Sequence, residues 1–401
     1  MRRFNYKARD SKTGKAVKGA IQAENEMSAG KLLLEQGYVP DSIIEEDTSG
    51  WVGKIKTRIS AKDRIVFTRQ FATLIGAGLP LSNALRTLSE QTESKGMKMV
   101  IDEVLSQVEA GKSLHEACSK HPDVFNQVYL SLIQAGESSG TLDLALKRLA
   151  DQQEKDESMI SKIRGAMVYP GIILFVIIAV VVFMMVMVVP QVANLYADMD
   201  KELPTATQVL VAISNFVINQ WYIILIFLGV FVWIFIQFRK TETGIRWIAS
   251  FKLHVPIFKN LFLRLYNARF ARTMQMLLST GVSLLDSMDM AGEAANNVVF
   301  FEQIKMAEEK VQGGKPLSTS LKDKLYIMPL VPQMSSIGEE SGKIDEMLGK
   351  AAQVYEDELD EQIAAISTMI EPVLMVIMAL LIGFIVLAVL MPIYSLVSSI
   401  G

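Results

Sequence analysis

Between Gly171 and Pro190 the chain reads GIILFVIIAVVVFMMVMVVP, twenty residues without a charge. A helix of that length rises about 30 Å, the thickness of a bilayer's hydrocarbon core, so the segment is expected to span a membrane. A second uncharged run, 220–238, opens on Trp221 and Tyr222, as interfacial aromatic belts do, and stops at Arg239-Lys240. A third begins at Pro372 and is assigned to 372–394, followed by a short tail, 395–401. The connection 191–219 reads as a short loop with Lys201 as its single cation, whereas Lys162 and Arg164 precede the pair of spans and Arg239, Lys240 and Arg246 follow it. Positive charge stays in the cytoplasm. The N-terminus and 239–371 are therefore expected inside, with 191–219 and the tail outside. Met1 to Lys7 is charged with no apolar run behind it, so no cleavable signal peptide is expected.

The chain also repeats itself. Leu74 to Leu81 (LIGAGLPL) matches Leu277 to Leu284 (LLSTGVSL), and Phe67 and Arg69 match Phe270 and Arg272. Gly111-Lys112-Ser113-Leu114 matches Gly314-Lys315-Pro316-Leu317 at the same spacing. After a slip of one residue, Gly136-Glu137-Ser138-Ser139-Gly140 meets Gly338-Glu339-Glu340-Ser341-Gly342, Pro170 meets Pro372, and Pro190 meets Pro392. The first span is thus the counterpart of the third, and the second stands outside the duplication. Two parallel copies, each entering the membrane from the same side, need one extra span to bring the chain back.

Within each copy apolar residues recur at helical spacing; in copy 1 they do so over 65–74, 81–88, 99–108, 114–118, 124–133 and 142–163, with Gly- and Pro-containing breaks between. The sequence therefore predicts a mainly α polytopic protein with two homologous six-helix cytoplasmic bundles. Bundle 1 covers 61–168; bundle 2 falls within 239–371, its core from about 264. The first 47 residues differ. Phe4, Tyr6 and Ala8 alternate, as do Val17, Gly19, Ile21 and Ala23, then 27–36 reads as a helix and 39–44 as a strand, which predicts a small β-β-α-β unit joined by a linker, 48–60. In that linker Trp51, Val52 and Ile55 with Lys54, Lys56 and Arg58 could touch anionic headgroups, although a solvated linker is the favoured reading.

Chemistry is sparsely represented. Forty Lys plus Arg against 43 Asp plus Glu argue against a nucleic-acid coat, and one cysteine with three histidines leaves little for metal or acid-base work. Gly111-Lys112-Ser113 resembles the end of a phosphate loop, but Ser106 stands where that motif needs its first glycine and a helix precedes it. It is read as a helix turn. His115, Cys118 and His121 are weak metal candidates, since copy 2 has Ser318, Leu321 and Lys324 in their places. The corners at 136–140 and 338–342 are the most specific soluble signal. Gly136, Gly140, Gly338 and Gly342 suit helix ends, whereas Glu137 and Glu339, with Ser139 and Ser341, read equally as part of a structural turn or as an exposed corner that docks a partner. Charge reversal of both glutamates is expected to leave the fold intact. Pro170 and Pro372 fall where each copy meets lipid, as a helix restart or a pivot, and Pro190 and Pro392 close their spans. No span holds a charge, which disfavours a transporter or channel subunit, the alternative that three spans admit. A loop of 191–219 is too small for a receptor's ligand domain.

Together these features resemble the inner-membrane platform proteins of type II secretion systems and type IV pilus machines. The residues that carry the resemblance are 74–81 with its partner copy, the two Gly-Glu-x-Ser-Gly corners, Lys162 to Pro170 (KIRGAMVYP), and Pro190 and Pro392. Glu371 replaces Tyr169 in copy 2, so a role for that tyrosine is not duplicated. The resemblance implies a multi-pass bacterial inner-membrane protein without cofactor or catalysis, its C-terminus periplasmic. It further implies a homo-oligomer on the axis of a hexameric cytoplasmic ATPase, working with other inner-membrane assembly proteins to lift pilin or pseudopilin subunits into a filament.

Overall fold

The computed structural model describes residues 2–10, 16–23, 28, 30, 32–33, 38–45, 59–198 and 205–397, so the basic segment of the linker and Lys201 lie outside the described residues. The chain divides into two units, Met1–Ser113 and Leu114–Gly401.

In the first unit β1 (Arg2–Asp10), β2 (Ala16–Ala23) and β3 (Tyr38–Glu45) form an antiparallel sheet in the order β2-β1-β3. The β1–β3 register shifts between Lys7 and Ala8, beside Pro40. A proline donates no ladder hydrogen bond, and an edge strand at a bulge tolerates it. Between β2 and β3 the described residues Ser28, Gly30, Leu32 and Leu33 are helical, with Leu33 buried. Three helices follow: α1 (Ala61–Gly76), α2 (Leu81–Gln91) and α3 (Lys95–Glu109). A reciprocal cap starts α1: the Ser60 hydroxyl accepts from the Asp63 N–H at 3.1 Å, and the Asp63 carboxylate accepts from the Ser60 N–H at 2.9 Å. That backbone bond, foremost, holds the Asp63 carboxyl below its ordinary range.

The second unit opens with α4 (Leu114–Ser119), α5 (Gln127–Ser139) and α6 (Leu142–Phe183). One π turn, Met184–Val188, joins α6 to α7 (Val189–Asp198), giving 57 helical residues, and α8 (Thr205–Asn219) leads into α9 (Trp221–Phe238). Next come α10 (Glu242–His254), α11 (Pro256–Leu278), α12 (Leu284–Ala294), α13 (Val298–Gln312), α14 (Leu317–Lys322), α15 (Leu330–Ser341) and α16 (Ile344–Val397). Three of the described helices, Leu142–Asp198, Trp221–Phe238 and Ile344–Leu387, are long and apolar enough to cross a membrane.

Two expectations change here. The connection 191–219 is not an irregular loop: α7 continues the first span to Asp198, and α8 returns along it, burying Leu210 against Val189. A short apolar helix carries too few residues to register as a span. Pro190 explains the π turn, because it has no N–H to donate. The Val189 N–H reaches back to the Met184 carbonyl, so the next donor in that pattern would be Pro190, and the Met185 carbonyl is left unpaired. The hydroxyl of buried Ser214 on α8 donates to that carbonyl instead. Likewise, neither Pro170 nor Pro372 restarts a helix; α6 and α16 run through them unbroken.

The duplication extends to the backbone. Left-handed glycines occur in matched pairs, Gly78 and Gly281 (φ +82° and +85°), Gly111 and Gly314 (+87° and +86°), Gly140 and Gly342 (+72° and +71°). The slip lies within α5 and α15, of 13 and 12 residues. In copy 2, α11 to α16 enclose a core built on Phe270, Met274, Met288, Phe300, Leu321 and Leu348, and Met159 of α6 is buried in the same core. The long helix of copy 1 thus lies on copy 2.

Candidate functional site

The glycines, the glutamate and the second serine of each repeated corner answer to a contact. Gly140 and Gly342 hold the left-handed turn that ends α5 and α15, a conformation costing other L-residues about 1 kcal/mol. Gly136 and Gly338 sit where the next helix crosses. A Cβ on Gly136 would stand 2.8 Å from the Ala145 Cβ, and one on Gly338 2.6 Å from the Ile344 Cα. The Ser139 hydroxyl donates to the Ala135 carbonyl and that of Ser341 to the Ile337 carbonyl, both at 2.7 Å.

The glutamates turn inward. Glu137 accepts from the N–H groups of Leu114 (2.5 Å) and His115 (2.9 Å). Glu339 accepts from the Leu317 N–H (2.5 Å), the Ser318 N–H (3.4 Å) and the Ser318 hydroxyl (2.5 Å). These donors open α4 and α14, and the first N–H groups of a helix have no partner within it. Pro316, which precedes α14, supplies no side-chain cap. A carboxylate at the end of one helix therefore caps another, with favourable charge at its N-terminus. This corrects the reading of Glu137 and Glu339 as an outward acidic pair and of their charge reversal as harmless to the fold. What the corners expose is Ser138 and Ser139 in copy 1, Glu340 and Ser341 in copy 2.

The metal candidates serve the same local structure. Nδ1 of His115 lies 3.0 Å from the Leu130 carbonyl, and Cys118 is buried, while His121 falls beyond the end of α4. Among the described residues no group of three or more His, Cys, Asp or Glu is arranged to hold a metal. Burial, and then the Glu137 charge, push the Cys118 thiol up to about 12. Near pH 8 that leaves roughly a thousandfold less thiolate than an unfolded chain offers. The folded protein is accordingly expected to resist maleimide and to react once denatured; rapid labelling of the native protein would contradict this burial. Gly111 ends α3, with the Lys112 N–H donating to the Gln107 carbonyl at 3.1 Å, and Lys315 repeats that bond to Lys310. Both are helix turns.

A ladder of ion pairs, which no local motif announces, joins the copies where α6 lies beside α16. Lys155 meets Glu356 at 3.3 Å and Lys162 meets Asp360 at 2.6 Å, so the two helices run parallel. Arg272 grips Glu356 through two bonds of 2.8 Å. Buried Arg269 lies 3.4 Å from Asp156, whose carboxyl burial pushes up while the guanidinium opposes the shift. Beyond the ladder a groove of about 610 Å³ runs between α6 and α16, lined by Gly165, Tyr169, Pro170, Ile363 and Ser367 among others. The sequence signals near this interface were the match of Phe270 and Arg272 to Phe67 and Arg69 and the segment Lys162 to Pro170, and neither announced the ion pairs.

A family model described as type II secretion system (T2SS), protein F matches residues 67–190 and again 270–392, the two copies of the repeat. The chain belongs to the type II secretion system protein F family. A model of that family's N-terminal domain matches residues 1–44. Relatives include the type IV pilus assembly protein PilC of Thermus thermophilus, 36% identical with 99% of each chain covered. PilC of Pseudomonas aeruginosa is 33% identical over 92% of this chain and 98% of its own. Type II secretion system protein F of Vibrio cholerae is 32% identical over 98% of each. With its three apolar helices, this T2SS protein F family member is an inner-membrane platform protein of a type IV pilus or type II secretion system, a family not known for enzymatic activity. It works among other components of such a machine.

Proposed function

We propose that the protein is a non-catalytic coupler: a hexameric cytoplasmic ATPase moves its two helical copies, and α6 and α16 carry that movement into the bilayer. There, pilin or pseudopilin subunits are lifted into the growing filament. The observation that carries this reading is continuity. Both helices pass from their ion-paired parts into uncharged stretches without a break, and helices of about 63 Å and about 81 Å so clamped transmit tilt better than they absorb it. On this reading the N-terminus and 239–371 face the cytoplasm, the tail is periplasmic, and several copies of the chain assemble on the ATPase axis with other inner-membrane proteins. We place ATPase docking at the exposed parts of the corners, Ser139 and Ser341, rather than at Glu137 and Glu339.

Pro170 has no N–H for the carbonyl one turn back, which leaves a compliant point in α6 beside Tyr169 and the groove. Pro372 and Pro392 lie within α16, and Pro190 within α7. Pro170→Ala is expected to insert in the membrane at the normal level and to support markedly fewer surface filaments in a strain lacking the native protein. Normal filament numbers would remove the pivot. Purified protein that hydrolysed ATP unaided, at a rate abolished by Lys112→Ala, would overturn the non-catalytic reading.

A further inference from the structure

The helix that follows the unduplicated span, α10, precedes the second repeat and has no counterpart in copy 1. At the end of α9 the chain turns so tightly that a Cβ on Gly244 would stand 1.8 Å from the Phe238 carbonyl oxygen. Thr241 caps the new helix, its hydroxyl accepting from the Gly244 N–H at 3.1 Å. This turn sets α10 beside the point where the apolar span stops. On α10, Ile245, Trp247 and Phe251 are exposed, although they are large and apolar. Trp247 stacks on Phe251 with ring centroids 5.2 Å apart and meets the edge of Phe238, the last residue of the span, at 6.2 Å. Exposed aromatic rings continuous with a membrane helix belong at the level of the lipid headgroups.

Behind those rings is a cavity of about 410 Å³ between α10 and the corner joining α12 to α13. Arg239 and Lys252 line it, with Ile248, Asn296 and Phe301, and with one carboxylate, the exposed Glu293. Lys252 is half-buried, its ammonium 5.4 Å from the centre of the Phe262 ring. Among the described residues neither Lys252 nor Arg239 forms an ion pair, while the nearby Arg269 is taken by Asp156. Burial, and then the Arg239 and Arg269 charges, hold the Lys252 ammonium below its ordinary range. Asn297 is already committed, donating to the Ala249 carbonyl at 3.1 Å and accepting from the Phe300 N–H at 3.0 Å.

Two cations that form no ion pair among the described residues thus face one cavity, against the single exposed carboxylate of Glu293, at the depth where a bilayer presents phosphate. We propose that this cavity holds the phosphate of an anionic phospholipid, with Arg239 and Lys252 on the phosphate and the acyl chains beside Trp247 and Phe251. The shared chemistry is a phosphate group, and the lipid is the source to which the exposed aromatic face commits it.

Native mass spectrometry of the full-length protein, delipidated in detergent and offered phosphatidylglycerol or phosphatidylcholine, tests the assignment. Wild type is expected to retain one phosphatidylglycerol in preference to phosphatidylcholine. The Arg239→Gln, Lys252→Gln double variant is expected to lose that preference by roughly 10- to 30-fold, the contribution of two cations near an anionic surface. Lys252→Arg, which keeps the charge, retains it and guards against a variant that fails to fold. Glycerol 3-phosphate in millimolar excess is expected not to displace the lipid. Equal retention of both lipids by wild type, or an unchanged preference in a folded double variant, overturns the proposal. So does displacement of the lipid by glycerol phosphate, which would make the site one for a soluble phosphate.

Discussion

Gly338→Ala is expected to destabilise copy 2 by about 2 kcal/mol, although alanine is the better helix former. The added Cβ would stand 2.6 Å from the Ile344 Cα, 3.1 Å from its nitrogen and 3.3 Å from the Lys343 carbonyl oxygen. All three are backbone atoms, so relief requires moving the start of α16 rather than rotating a side chain. Overpacking of this kind costs about 1–3 kcal/mol or more, and the roughly 1 kcal/mol gained from helix propensity offsets only part of it. Gly136→Ala in copy 1 is expected to behave similarly, against Ala145 and Leu142. Gly165→Ala is the control. It also lies within a helix, yet its Cβ would meet nothing within 4 Å, so it should be neutral or slightly stabilising. Thermal unfolding of the detergent-solubilised proteins checks the contrast: a drop of about 4 °C for Gly338→Ala, and none for Gly165→Ala. Equal melting of the two would mean that the close crossing of α15 and α16 is not as tight as described.

Loss of the Glu339 carboxylate should be at least as damaging. Glu339→Ala leaves the first donors of α14 without acceptors in a half-buried corner, and hydrogen bonds to a charged group are worth about 1.5–3 kcal/mol. We expect a loss of about 2–3 kcal/mol, with Glu339→Gln falling between it and wild type because an amide oxygen still accepts. Glu339→Lys should be worst, since it sets an ammonium against the positive end of a helix. A melting series in the order wild type, Gln, Ala, Lys checks this; a Lys variant as stable as wild type would return the glutamate to the surface role expected of it from the sequence. The same series separates stability from partner binding, which a charge reversal alone would confuse.

The parts of the fold legible in sequence were those recorded by chain-local signals. An uncharged run of twenty residues between Gly171 and Pro190 needs no tertiary information to be recognised as a span, and glycines 78, 111 and 140 betray their turns by recurring at 281, 314 and 342. The role of Glu137 was not legible, because its partners lie 22 and 23 residues away at the start of another helix. Nothing near a glutamate in sequence says which helix end it will face. Helix α8 was missed for a different reason: fifteen residues are too few for a span, and polar Ser214 is buried because Pro190 leaves a carbonyl for it to satisfy. The ladder between α6 and α16 was equally hidden, since Lys155 and Glu356 are ordinary surface residues until the copies are placed side by side.

On that placement rests the central claim of the proposed function, that two copies anchored in parallel share one side of the membrane and the unmatched span α9 returns the chain. Buried Cys118, the only cysteine, gives a quiet background for labelling. Lys120 and Asp323 are exposed counterparts in the two copies. Lys120→Cys and Asp323→Cys, each made singly, are expected to react with a membrane-impermeant maleimide only in inverted vesicles, whereas Lys201→Cys reacts in spheroplasts. Labelling of Asp323→Cys in spheroplasts, with Lys120→Cys protected, would put the copies on opposite sides and contradict the account.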